Sequence, residues 1–369
     1  MNGLKIGILI PDVLDEFHVN RNPLEIPLTL RRLRVDTLIF APGNKLLNTK
    51  DLPKIIRLVR YKKDSTTNLI RQIDYAIQLN KHIKKENPNI MIFFTDTITA
   101  ALIKLRHPRL RIVFNVGIEQ YDFRDFPHSK LLTKLSFAIK YFISDLLMSE
   151  TQHNYEITVK FVPFVKKKLK IIRVGVPDTF FLTKKDKAHR TNTVLCVARI
   201  TRFKAQDMLI RSFNKLYKKH RTWRLRFVGS IEDRSYFNDL KNLVKKYGLS
   251  DKITFLNFIT EKEIRKEYLN ASIFCLCSSK ENPGIVRGEA MAMGLPIVTT
   301  ATSGSELVTG RGIVIPIGDE RALTLALDKF MSSPKERDRA SKLEREWVER
   351  IRADVVIKDM LLELGYNIE

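Results

Sequence analysis

Ser278-Ser279-Lys280-Glu281-Asn282-Pro283-Gly284-Ile285-Val286-Arg287-Gly288-Glu289-Ala290-Met291-Ala292-Met293-Gly294-Leu295-Pro296-Ile297-Val298-Thr299-Thr300 reads as loop, helix, turn and strand. The apolar run before it, Ile273-Phe274-Cys275-Leu276-Cys277, is short and bounded by serines, as a buried parallel strand is. Gly288 to Met293 is short and rich in Ala and Met, which suits a helix lying close on a sheet. Gly294-Leu295-Pro296 ends that helix, because Gly suits the residue after the last turn and Pro cannot continue it. A loop that leaves the carboxyl end of a strand and opens a helix is where open α/β sheets bind ligands. The helix start offers N–H donors and a partial positive charge to a phosphate. Two carboxylates flank the loop, Glu281 and Glu289.

Upstream of this stretch the chain alternates in the same way. Val194–Ala198 reads as a strand, 206–219 as a helix, 224–228 as a strand ending in Gly229-Ser230, 236–247 as a helix, 253–256 as a strand and 261–270 as a helix. Downstream come a short strand at 313–315, a helix at 319–330, and a charged, mostly helical run at 334–364. The first ~120 residues also alternate strand and helix, which implies a parallel sheet. Strands are expected at 6–10, 37–40, 90–94 and 111–116, and helices at 24–33 and 69–85. The polar run Thr183–Asn192 has no periodicity and is the best linker candidate. The expected domains are therefore 1–185, 186–335 and a C-terminal helical segment 336–369 that returns towards the first domain.

The chain has 369 residues, 44% hydrophobic and 29% charged, a globular composition with no apolar run of spanning length. It opens directly into a strand, so no secretory signal is expected. Cys196, Cys275 and Cys277 sit in strand-like runs and read as buried reduced thiols of a cytoplasmic protein rather than a metal knuckle. The formal charge is +24, and residues 1–176 hold 30 Lys+Arg against 16 Asp+Glu. No nucleic-acid-binding motif accompanies this charge, so nucleic acid is not an expected partner. An anionic membrane surface is, because it attracts basic patches without a sequence motif. Lys130–Ile143 and Phe161–Ile172 are the stretches that combine lysines with apolar residues. Each reads either as an interfacial surface or as an ordinary element with a solvated basic face. The expected location is cytoplasmic, peripheral on the inner face of the membrane.

Several stretches, taken in order, resemble the nucleotide-sugar-binding domain of retaining glycosyltransferases of family 4. They are Val197-Ala198-Arg199 with Phe203-Lys204, Phe227-Val228-Gly229, Tyr247–Leu256, and Ser278 through Pro296 with its E-x7-E spacing and its EAMA-x-GLP tail. In the first half Val174-Gly175-Val176-Pro177-Asp178 is similar to the family's turn before the linker. The resemblance implies the GT-B fold: α/β, with two Rossmann-like, doubly wound parallel-sheet domains facing across a cleft, and a C-terminal helix. It implies a hexosyltransferase that moves a sugar from a nucleotide diphosphate sugar to the hydroxyl of a glycan or lipid-linked acceptor with retention, without metal or other cofactor.

By the same resemblance, Arg199 and Lys204 hold the diphosphate, where the alternative is a pair of solvated surface cations. Gly284, Ile285 and Val286 offer backbone N–H groups, and Glu289 accepts the ribose hydroxyls. Glu281 is the catalytic residue, facing the transferred sugar and stabilising an oxocarbenium-like state; the alternative is a loop carboxylate that caps local N–H groups. The chain departs from the family at Ala205, Asn257 and Asn282-Pro283, and in the Pro11–Asp15 loop. It also lacks the first-domain histidine, leaving Asn115, Glu119 and Asp122 as polar candidates there. Rival readings are a sugar phosphorylase or nucleotide-sugar epimerase of the same fold, and a non-catalytic nucleotide- or glycan-binding protein.

Overall fold

The structure is a computed structural model and describes residues 3–10, 21–42, 54–58, 68–94, 96–116, 127–184, 186, 189–257 and 260–367. The Pro11–Asp15 loop, Glu119, Asp122 and the proposed domain boundary at Lys185 lie outside the described residues. By contacts the chain divides into residues 1–175 with 353–369, and residues 176–352.

The first unit contains β1 (Lys5–Leu9), α1 (Arg21–Arg32), β2 (Asp36–Pro42), β3 (Lys54–Leu58), α2 (Asn68–Glu86), β4 (Ile90–Phe93), α3 (Thr97–Arg106), β5 (Arg111–Asn115), α4 (Pro127–Ile143), β6 (Leu146–Ser149), α5 (Gln152–Phe161) and β7 (Leu169–Ile171). The second contains β8 (Thr193–Val197), α6 (Gln206–Tyr217), β9 (Arg224–Val228), α7 (Arg234–Lys246), β10 (Ile253–Leu256), α8 (Glu261–Asn270), β11 (Ile273–Leu276), α9 (Val286–Ala292), β12 (Ile297–Thr300), β13 (Ile313–Ile315), α10 (Glu320–Ser332) and α11 (Pro334–Val348). The last helix, α12 (Ala353–Glu363), groups with the first unit.

Both sheets are parallel and doubly wound. Their strand orders are β3-β2-β1-β4-β5-β6-β7 and β10-β9-β8-β11-β12-β13. Strands such as Ile90–Phe93 and Thr193–Val197 are buried along their whole length, which is why they read as continuous apolar runs rather than alternating ones. Alternation instead assigns residues to the two faces of the first sheet. Ile6, Ile8, Ile90, Ile92 and Val113 pack with Leu30 and with Ile357, Met360 and Leu361 of α12. Phe40, Met91, Phe93, Ile112 and Phe114 pack with Leu79, Ala100 and Phe137 on the other face.

β3, β6, β7 and α5 have no counterpart in the sequence reading. β7 is three residues long and lies inside the lysine-rich run read as an interfacial surface, so neither length nor period marks it. Within the run 183–192 the side chain of Arg190 is fixed in place. Arg190 donates to the carbonyls of Tyr268 (2.6 Å), Ala271 (2.9 Å), Met293 (2.6 Å) and Gly294 (3.3 Å), capping the carboxyl ends of α8 and α9 together. The division between units falls ahead of that run because Val176 already bridges Arg352, and Phe180 is buried against Tyr268. In the first unit Gly175 abuts Ala353 so closely that a Cβ would sit 2.5 Å from its Cα.

Candidate functional site

In the second sheet the winding reverses between β8 and β11, which places the crevice for a ligand at the carboxyl ends of these two strands. Two loops leave there. The loop after β8 runs through Arg199 and the 3₁₀ turn Arg202–Lys204 to Ala205, whose left-handed backbone (φ 51°, ψ 39°) opens α6. The buried side chain of Gln206 donates to the Arg199 carbonyl (2.9 Å) and fixes that loop from beneath. The loop after β11 is stitched to it: the Ser279 N–H donates to the Phe203 carbonyl (2.8 Å), and the Cys277 thiol to that of Ala205 (3.2 Å).

The stitching brings Lys204 to Glu281. The Lys204 Nζ lies 2.5 Å from Glu281 Oε1, with both side chains largely shielded from solvent. The Ser278 hydroxyl donates to the same oxygen at 2.6 Å. Arg199 is more exposed, and its Nη1 reaches both oxygens of Glu232 at 2.8 and 3.0 Å. Both cations stand over the Phe203 ring, Arg199 at 5.9 Å and Lys204 at 5.1 Å from its centre. Cations held over an aromatic face and paired with carboxylates can exchange those carboxylates for an anionic ligand without being desolvated afresh.

The loop carrying Glu281 is held from below by a residue to which the sequence reading gave no role. Arg287 is fully buried. It donates to Thr299 Oγ1 (3.0 Å), Thr302 Oγ1 (2.5 Å), and the carbonyls of Ser303 (2.7 Å) and Pro283 (3.3 Å). It thereby ties the loop after β11 to the loop after β12. Gly284 is left-handed (φ 70°), and a Cβ there would lie 2.7 Å from Arg287 Nη1, so only glycine fits. The next two residues start α9, with Ile285 as its cap and Val286 its first residue. Backbone N–H groups at such a start have no partner within their own helix. Arg287 and Glu289 are the two charged residues of a short helix otherwise made of small and apolar residues, and composition alone does not read either as buried.

Glu289 lies one turn further along α9 and is buried, accepting from the Tyr268 hydroxyl (2.9 Å). The structure thus gathers Arg199, Lys204, Glu281 and the Gly284–Val286 backbone on the two loops, with Glu289 in the layer beneath. Nothing in the sequence marked Tyr268, Gln206 and Glu232, the partners that orient these residues. All three cysteines are buried. Burial pushes the Cys196 thiol well above its ordinary range, and a hydrogen bond with Cys277 together with burial does the same for Cys275, as expected of inert thiols. In the first unit Asn115 ends β5 and donates to Glu150 Oε1 at 2.6 Å.

Two doubly wound parallel sheets in one chain, the second with cations and carboxylates at its switch point, define a protein of the GT-B class. The description "Glycosyl transferases group 1" matches residues 178–347. An uncharacterized glycosyltransferase of Haemophilus influenzae is 30% identical over 302 residues, 80% of this chain and 80% of its own. The chain belongs to the group 1 glycosyl transferases. A GDP-mannose-dependent alpha-(1-6)-phosphatidylinositol monomannoside mannosyltransferase of Mycolicibacterium smegmatis is 27% identical over 164 residues, 42% of each chain. Among solved structures, Anabaena Alr3699/HepE in complex with UDP and glucose superposes with a TM-score of 0.78 at 14% identity, over 98% of this chain and 99% of its own. A glycosyltransferase from Rickettsia africae gives a TM-score of 0.78 at 18% identity over 99% of each chain. At such identities the likeness is one of fold.

Proposed function

We propose that the protein transfers a hexosyl group from a nucleotide diphosphate sugar to a hydroxyl of a glycan or lipid-linked acceptor, with retention at the anomeric carbon. The observation that carries this reading is the Lys204–Glu281 pair (2.5 Å), set beside Arg199 on the loops at the β8/β11 switch point. A departing nucleoside diphosphate gains negative charge as the glycosidic bond lengthens. Arg199, Lys204 and the N–H groups of Gly284, Ile285 and Val286 meet that charge without reorganising. Glu281, released from Lys204 by the diphosphate, faces the sugar and stabilises the positive charge that develops at its anomeric carbon. Glu289, held in orientation by Tyr268, takes the ribose hydroxyls. Retention is supported by the E-x7-E spacing of Glu281 and Glu289 and by its likeness to the retaining enzymes of family 4. The lipid-borne acceptor named for the mycobacterial relative and the excess of 30 Lys+Arg over 16 Asp+Glu in residues 1–176 support an acceptor met at an anionic, cytoplasmic membrane face.

The test is Glu281→Gln. Transfer from the donor sugar is expected to fall by about 10²–10³-fold or more, as when one transition-state contact is removed, while nucleoside diphosphate affinity by calorimetry stays within a few-fold. Unchanged turnover would remove Glu281 from the chemistry. The anomeric configuration of the first-formed product, read by NMR, decides retention.

A further inference from the structure

Helix α4 turns two apolar faces in opposite directions. Phe137 is buried in the core of the first unit, alongside buried Thr133 and Lys140. Leu131, Leu132, Leu135 and Phe142 point the other way, each more than half exposed. At 3.6 residues per turn, Leu131, Leu135 and Phe142 fall within an arc of about 40° and make one stripe along the helix. The 3₁₀ turn Pro163–Lys167 extends it. Phe164 is exposed, and its ring meets Tyr141 edge-on at 5.6 Å, while the same tyrosine meets Phe142 at 5.5 Å. Lys168 ties the two segments by donating to the carbonyls of Tyr141 (2.7 Å) and Ser144 (2.6 Å). The two basic stretches are therefore one surface, an apolar ridge with exposed Lys134 on α4 and exposed Lys166 and Lys167 on the 3₁₀ turn.

The charge around the ridge is one-sided. Residues 127–170 contain eight lysines against Asp145, Glu150 and Glu156, and six of the eight remain once buried Lys140 and Lys170, paired with Glu363 at 3.1 Å, are set aside. Those acids are engaged elsewhere: Asp145 with the Ile112 N–H (2.9 Å) and Lys104 (3.5 Å), Glu150 with Asn115 (2.6 Å), and Glu156 with Gln152 (2.6 Å). A partner with its own mixed charges gains little from such a surface. A sheet of phosphates over hydrocarbon matches both of its parts.

We propose that the α4 ridge docks the protein on an anionic lipid bilayer, with Leu131, Leu135, Phe142 and Phe164 entering the headgroup boundary and the flanking lysines on lipid phosphates. This names the surface for the membrane-side acceptor proposed above, and its test reads binding, not transfer. Co-sedimentation with phosphatidylcholine vesicles, with and without phosphatidylglycerol, is the assay. Wild-type protein should pellet only with the anionic vesicles, and less so as salt rises. Combining Leu131→Ser, Leu135→Ser and Phe142→Ser should weaken this binding at least tenfold, with circular dichroism unchanged since these side chains are outside the core. Lys134→Glu with Lys166→Glu should weaken it about fivefold or more per lysine. Glu281→Gln should pellet like wild type, so a failed transfer chemistry and a failed docking surface give different patterns. Equal pelleting with neutral vesicles, no pelleting at all, or wild-type binding by the serine variant would overturn the proposal. So would a dimer, seen by analytical ultracentrifugation without lipid, that the serine variant abolishes.

Discussion

The Lys140 Nζ is buried over the rings of Phe137 (5.2 Å) and Phe114 (5.5 Å). Burial pulls its pKa down to about 8, and the charge of Asp96 only partly opposes this. An unfolded lysine titrates near 10.4. Between roughly pH 10.4 and 8 the unfolded chain therefore holds a proton that the folded chain does not, so stability rises with pH across that window. Below about pH 8 the penalty is constant and on the order of 3 kcal/mol. Lys140→Met is expected to stabilise the protein at pH 7 by up to about that amount, with the gain shrinking towards pH 10, as urea unfolding at several pH values will show. A gain independent of pH would mean that burial of the charge is not the cause. The sequence left Lys140 on either an interfacial or a solvated basic face, because α4 has two apolar stripes and periodicity does not say which of them meets the sheet. Arg287 was illegible for a related reason: composition makes a buried guanidinium improbable, and oxygens drawn from separate loops and a strand, among them those of Thr299, Thr302, Ser303 and Pro283, make the burial tolerable.

At the scale of elements the second unit was far more legible than the first. Its βα repeats are long enough to carry a period, and Gly, Ser or Pro punctuates them, as at Gly229-Ser230 and Gly294-Leu295-Pro296. The stretch Ser278–Thr300 is loop, helix and strand as expected, and its loop meets the Arg199–Lys204 loop at the predicted end of the sheet. β7 is three residues long and runs on from Lys168 into Ile172, with no Gly, Ser or Pro at either end. The run around Arg190 looked like a linker because its structure lies in a single side chain, not in a pattern. Burial brings the Arg190 pKa down to about 10, with the charge of Arg345 adding to the effect, so it remains a cation among four carbonyls at two helix ends. Arg190→Ala leaves those carbonyls without their donor and should destabilise the second unit by about 2–4 kcal/mol. Arg190→Lys should recover only part, since an ammonium does not span two helix ends as a guanidinium fork does. The same variants should lower nucleoside diphosphate affinity, because α9 carries the donor loop at its other end. Thermal unfolding and calorimetry on one set of samples would separate a clamp from a merely tolerated cation.

At the scale of the molecule, one unit is continuous in sequence and the other is not. Residues 176–352 contain their own core, running from Val194 and Phe213 through Phe227 and Leu327 to Ala340, and every proposed donor contact. The first unit is completed only by α12, whose Ile357, Met360 and Leu361, followed by Leu364, are buried beside Ile6, Ile8 and Leu30. Four such side chains are worth about 6–12 kcal/mol of burial, at roughly 1.5–3 kcal/mol each. That is as much as the entire stability of an ordinary domain, about 5–15 kcal/mol. A chain ending at Arg352 is therefore expected to lose the first unit, while the bridge between Val176 and Arg352 remains to close the second. The fragment 176–352 should unfold in one cooperative transition and bind nucleoside diphosphate within a few-fold of the full chain. It should transfer no sugar, since it lacks the basic residues of 1–176 that support the proposed membrane-side acceptor. Should the fragment fold yet fail to bind nucleotide, then Arg199, Lys204 and the Glu281 loop are not sufficient for donor recognition, and contacts from outside residues 176–352 must enter the donor site.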